Sequence, residues 1–207
     1  MPGTREIDAY RMTHIDNIPH ILENGITHPS CTSANPHYIP IGDTSLIASR
    51  NARQLGSGKT LGNYIPFYFS KRTPMLFVIQ HGHNSVPIVA PENIVYCVCS
   101  LDAIVSLGSD FLFSDGHAYN KLSSFYDSSH LSEIETILDW EAIHDIYWKD
   151  EQDTDKKRRK EAECLIGADI PLTFIKQFVV YNDDAKEKLL IFGVEEEMIE
   201  VNAGYYF

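Results

Sequence analysis

Glu161 and Glu163 flank Ala162 in the run RRKEAECL, so two carboxylates lie two residues apart. In an extended segment both side chains would point to the same side of the backbone. A fixed carboxylate suits scission of an N-glycosidic bond, because positive charge develops on the ribose and an opposite charge beside it lowers the barrier. Glu-x-Glu pairs are frequent by chance, and the pair alone assigns no reaction. Other residues fit a nucleotide site around it. Tyr68 offers a flat ring for stacking a base or nicotinamide, Lys71 and Arg72 follow closely, and Arg50 carries a fork that can grip a pyrophosphate. Each has a plain structural reading as well, Tyr68 as core and the cations as solvated surface. Neither a GxGxxG fingerprint nor a P-loop is present; Gly58, Lys59 and Thr60 match only the P-loop tail, with Arg53 where its first glycine belongs.

The elements that must position these residues are partly legible. Residues 10–13 read as a short strand; Asp16 or Asn17 can cap a helix from Ile18, with Pro19 in its first turn and Gly25 as its stop. Residues 28–62 are rich in Pro, Ser, Thr, Asn and Gly and lack periodicity, which predicts a long loop of the kind that often carries function. Residues 64–69 alternate, with Ile65, Phe67 and Phe69 on one face and Tyr64 and Tyr68 on the other, and Pro66 restricts this strand to an edge or makes it a strand start. Residues 75–79, 94–99 and 174–181 are further strand candidates, and 131–148 and 184–192 are helix candidates. No βαβ repeat runs through this order, so the expected class is α+β, with a largely antiparallel central sheet and flanking helices. At 207 residues and 43% hydrophobic content the chain suits a single domain, 1–207.

Composition narrows the function classes. No window of 18 apolar residues exists, and Met1 to Glu6 lack the basic-then-apolar pattern of a secretory signal, so a soluble cytoplasmic protein with no membrane contact is expected. Cys31, Cys97, Cys99 and Cys164 are too scattered for a disulfide framework, and Cys97 and Cys99 fall on one face of an apolar strand as core. Only His81 and His83 among the nine histidines are spaced two apart, and nothing completes a ligand set, so no metal is expected. The net charge of -12 is uneven. Residues 1–90 carry a net +2 and residues 91–207 a net -14, so a nucleic-acid face can persist in the first half. Lys156 to Lys160, five basic residues after Asp150, Glu151, Asp153 and Asp155, read either as a solvated helix or, with Arg72, as a local cationic patch for DNA. Residues 195–200 read as a solvated acidic surface.

Four segments together resemble one family. YRMTHIDNI at 10–18, YIPFYF at 64–69 followed by RTPM at 72–75, SDGHA at 114–118 and RRKEAECL at 158–165 occur in the order and spacing of DarT, the toxin half of the DarT/DarG toxin-antitoxin systems. The resemblance spans roughly residues 8–182. It implies an ADP-ribosyltransferase-like fold that consumes NAD as its substrate, releases nicotinamide and modifies single-stranded DNA, with thymine as the usual acceptor. It also implies a macrodomain antitoxin of the DarG type as partner. By resemblance Glu163, not Glu161, is the catalytic glutamate and Arg50 the essential arginine, with Arg53 competing for that place. His14, Ile15, Asp16 and Tyr68 would contact NAD, while Arg72, Met75 and His117 would lie on the DNA side. Cys164 stands where an aromatic is expected. The alternatives are transfer to guanine, RNA or protein, or a non-catalytic module that only stacks single-stranded nucleic acid.

Overall fold

The computed structural model describes residues 6–56, 58–83 and 86–207; Met1 to Arg5, read above for a leader pattern, lie outside the described residues. The strands are β1 (Asp8–His14), β2 (Ile65–Tyr68), β3 (Ile94–Ser100), β4 (Phe111–Ser114), β5 (Phe125–Asp127), β6 (Glu163–Ile166), β7 (Gln177–Val180) and β8 (Ile199–Val201). The helices are α1 (Ile18–Asn24), α2 (Thr44–Ala52), α3 (Pro74–His81), α4 (Leu101–Ser106), α5 (Ile134–Ile137), α6 (Trp140–His144), α7 (Lys156–Lys160) and α8 (Asp183–Ile191). The strands form one sheet in the order β5-β4-β6-β2-β1-β3-β7-β8, antiparallel except for the β7 and β8 pair, as the α+β expectation requires.

Strand β3 shows why its segment reads as unbroken apolar sequence. Val95, Cys97 and Cys99 enter one core cluster with Phe67, Phe69 and Phe178, whereas Ile94, Tyr96 and Val98 enter another with Leu76, Ile79 and Tyr206. A strand covered on both faces has no polar side to alternate with. Cys97 and Cys99 share a face as expected, and burial pushes the Cys97 thiol up to about 12, so it stays protonated.

The seam between β1 and β2 positions the site. Strand β1 pairs with β3 over seven residues, from Asp8 opposite Ser100 to His14 opposite Ile94, but meets β2 only at Tyr10 opposite Tyr68. Away from that pair the strands part, and Arg11 Nη1 reaches across to donate to the Pro66 carbonyl at 2.9 Å. Pro66 therefore sits in an interior strand and not at an edge, because the parted seam asks for no ladder hydrogen bond from its nitrogen.

Three further expectations are corrected. Residues 28–62 contain α2, whose cap Asp43 accepts from Ser45 and Leu46 N–H groups. None of its residues is buried, so no apolar stripe marks it in the sequence. Residues 75–79 belong to helix α3, not a strand: Thr73 Oγ1 accepts from Leu76 N and Pro74 occupies the first turn, a strong helix start before an apolar run that looks strand-like. Residues 131–148 are not one helix. Leu138 is extended, and Asp139 accepts from Ala142 N to begin α6 afresh.

Candidate active site

Helix α2 presents Arg50 in its last turn, and β6 opens with Glu163. Arg50 Nη1 donates to Glu163 Oε1 at 3.1 Å, and Nη2 lies 2.9 Å from Oε2. The Glu163 side chain is 1% exposed and that of Arg50 12%, so the ion pair sits in the interior. Ala118 N donates a second hydrogen bond to Oε1 at 2.8 Å. Oε2 and Nη2, by contrast, make no aligned hydrogen bond and meet only as an ion pair, so the hydrogen-bonding capacity of both is unspent. Burial works against the Arg50 charge, but the Glu163 charge and hydrogen bond outweigh it and raise its pKa, so Arg50 stays a cation.

The loop after β4 holds the glutamate. Ser114 Oγ accepts from Glu163 N at 3.4 Å and donates to Gly116 O at 2.7 Å, while His117 N donates to Arg158 O at 2.8 Å. A Cβ on Gly116 would stand 2.8 Å from that same carbonyl, too close for any larger residue. His117 Nε2 comes within 3.9 Å of Glu163 Oε1. Burial lowers the His117 pKa against the pull of Glu163, which leaves a neutral imidazole at pH 7.

Arg50 and Glu163 line a cavity of about 350 Å³ that follows the open seam, with Arg11 and Met12 from β1, Pro66 and Tyr68 from β2, and His117 among its walls. Met75 also lines it. The Tyr68 hydroxyl is held protonated, first by burial and then by the charges of Glu163 and Glu161. His14, Ile15 and Asp16 stand at the end of β1 and the turn after it, outside the cavity lining. Ile15 is core, His14 Nδ1 accepts from Asp16 N at 3.2 Å, and Asp16 pairs with Lys188 at 2.7 Å. Arg72 takes a left-handed φ of 55°, lies 4.7 Å over the Phe207 ring and does not line the cavity.

Arg53 is held elsewhere. It donates to the Tyr119 and Asn120 carbonyls, and only Arg50 of the two arginines meets Glu163. The basic run at 156–160 is largely engaged and not free for phosphate. Lys156 pairs with Asp145, Arg158 with Asp115 and Asp155, and Arg159 with Asp139, Asp153 and Asp155, while Lys160 is 1% exposed and donates to the Ile143 and Asp145 carbonyls. Asp153 and Asp155, just before this run, fold back on Arg158 and Arg159, while Asp115, Asp139 and Asp145 reach it from elsewhere in the chain. Ser114 and the Ala118 N–H went unassigned in the sequence, since one is a small hydroxyl and the other a backbone group with no residue signature.

The sequence model of the family described as "ssDNA thymidine ADP-ribosyltransferase, DarT" matches residues 10–207. The chain belongs to the DarT family. A DNA ADP-ribosyl transferase of Escherichia coli O127:H6 is 30% identical over 204 residues, covering 96% of this chain and 92% of that one. Thermus sp. 2.9 DarT in complex with ADP-ribosylated ssDNA superposes with a TM-score of 0.84 at 27% identity, over 98% of this chain and 97% of that one. The same DarT solved with NAD+ gives 0.81 at 26% identity, over 99% of each chain. A fusion of DNA ADP-ribosyl transferase with DNA ADP-ribosyl glycohydrolase from Thermosipho africanus is 27% identical over 190 residues, 91% of this chain and 45% of the fusion. DarT membership carries the ADP-ribosyltransferase-like fold, and among the described residues no helix is long and apolar enough to cross a membrane.

Proposed function

We propose that this protein transfers ADP-ribose from NAD to thymine in single-stranded DNA and acts as the toxin of a toxin-antitoxin pair in the cytoplasm. The observation that carries the reading is the buried Arg50 and Glu163 ion pair on the wall of one cavity, in which Oε2 and Nη2 lie 2.9 Å apart without an aligned hydrogen bond. A ribose hydroxyl of NAD donates to Oε2, and Nη2 donates to a phosphate oxygen. Glu163 then stabilises the positive charge that grows on the ribose as the bond to nicotinamide breaks. This charge exists mainly in the transition state, so the carboxylate speeds reaction more than it tightens binding. Tyr68 offers its ring face to nicotinamide.

His14, Ile15 and Asp16 are assigned to NAD through the family motif, and Arg72, Met75 and His117 to the DNA side. Single strands suit the reaction because an acceptor base must leave its stack, which costs least where it is already unpaired. The Thermosipho africanus fusion, which joins a transferase to a glycohydrolase, supports a partner that removes the mark. Expressed alone, the protein should arrest growth, and a co-expressed macrodomain glycohydrolase of the DarG type should restore it. Normal growth with active protein present would overturn the toxin reading.

A further inference from the structure

His117 lines two cavities, and the two carboxylates of the Glu-x-Glu pair are divided between them. The second cavity, of about 410 Å³, is walled by His117, Asn120, Leu122, Thr154, Lys157 and Glu161, with Asp155 and Arg158 beside them. Glu163 lines the first cavity and not the second; Glu161 lines the second and not the first. The division corrects the expectation that both point to one side. Glu161 is the C-cap that follows α7, at φ -94° and ψ 28°, and the extended backbone of β6 begins only at Glu163.

Glu161 is 6% exposed, no hydrogen bond to its carboxyl is found among the described residues, and its oxygens are not among the atoms sealed from solvent without a partner, so the carboxyl opens on the cavity it lines. Asp155 and Arg158 at the same cavity bond each other at 2.8 Å, and Lys157 is exposed. An N–H group entering the cavity would give this carboxyl a hydrogen bond that no protein group supplies. Resting on the function proposed above, we infer that the second cavity receives the acceptor base and that Glu161 takes the proton from its ring N–H as that nitrogen attacks the ribose carbon. The new N–C bond forms while the bond to nicotinamide breaks. Nicotinamide leaves as a neutral molecule with the bonding pair, the ring proton passes to the carboxylate, and the positive charge of the pyridinium ends as that proton.

The other groups within reach serve this step less well. Arg50 remains charged and can only donate, and His117 is made a weaker base than ordinary histidine by burial. Burial pushes Glu161 up to about 8, with Lys157 and Lys160 opposing and Glu163 adding to the rise. A carboxylate poised there is a far stronger base than an ordinary one and matches its task near the operating pH.

The test compares the unaltered protein with Glu161→Gln, using oligonucleotides that carry one thymine or, in its place, one 5-fluorouracil, whose ring N–H is more acidic. Single-turnover rates at saturating NAD should fall about a hundredfold or more on thymine. On 5-fluorouracil the loss should shrink at least tenfold, because the acceptor then needs less help in giving up its proton. NAD affinity of the variant, measured alongside, should stay within a few-fold and so report an intact fold. Equal losses on both acceptors, no loss on thymine, or the same acceptor-dependent loss in His117→Asn but not in Glu161→Gln would overturn the assignment. A second readout needs no variant: the thymine rate of the unaltered protein should rise through about pH 8 as Glu161 ionises, and a flat rate from about pH 6 to 9 would contradict it. An unaltered protein that modifies neither oligonucleotide would overturn the proposed function itself, an outcome distinct from a failure of Glu161 alone.

Discussion

Glu163→Gln should lower the single-turnover rate of ADP-ribose transfer by a hundredfold or more, since a preorganised group facing developing charge contributes on that order. The amide keeps an oxygen for the Ala118 N–H and for Arg50 Nη1 but removes the charge that offsets the positive charge growing on the ribose. Affinity for NAD should change far less than rate, because the lost interaction strengthens only on the way to the transition state. Gln is preferred to Ala for this experiment. Truncation would remove the acceptor oxygen as well as the charge, leaving the Ala118 N–H and Arg50 Nη1 buried with nothing to donate to, at about 1 to 3 kcal/mol for each unsatisfied group. Rapid-quench measurement with saturating NAD and excess enzyme gives the rate directly. A loss smaller than about tenfold would remove Glu163 from the centre of the chemistry.

Arg50→Lys should be nearly as damaging, on the order of a hundredfold in kcat/KM. An ammonium cannot contact both carboxylate oxygens of Glu163 and still offer a donor to a phosphate, whereas the guanidinium fork does so with fixed geometry. Both KM for NAD and kcat should worsen, since the same side chain orients the catalytic carboxylate and meets the substrate. Arg53→Lys supplies the comparison. Arg53 is spent on the carbonyls of Tyr119 and Asn120, away from Glu163, and lysine keeps its charge, so its change should cost less than about tenfold. If Arg53→Lys proved the more damaging of the two, the essential arginine would be the one on the loop.

Much of the sheet was readable because its signals are local. The alternation at 64–69 became β2, the apolar run at 94–99 became β3, and Pro19 and Gly25 bound α1, although the expected side-chain cap from Asp16 or Asn17 is not made, the Asn17 side chain bonding Thr13 and Ile39 instead. Helix α2 was not readable, since a helix with no buried residue has no stripe and announces itself only through Asp43. Helix α3 was misread because an apolar run can serve a helix as well as a strand, and the Thr73 and Pro74 start decides between them. At the site, Arg50 and Glu163 were nameable only by resemblance: their contact spans 113 positions of sequence and no spacing rule reaches across it. The division of Glu161 from Glu163 was not readable at all. It depends on where α7 ends and β6 begins, a boundary of two residues that local propensity does not fix.

The proposed function is tested most directly by mass spectrometry of DNA after incubation with the purified protein and NAD. Oligonucleotides identical but for a single thymine, offered single-stranded and as duplex, should divide cleanly, alongside an RNA of the same sequence. The account predicts one added ADP-ribose on the single-stranded thymine oligonucleotide, located on the thymine by fragmentation and accompanied by an equal amount of free nicotinamide. The thymine-free strand and the RNA should remain unmodified and the duplex should react far more slowly. Modification of the thymine-free strand to the same extent, or of the RNA or the protein itself in place of DNA, would contradict it.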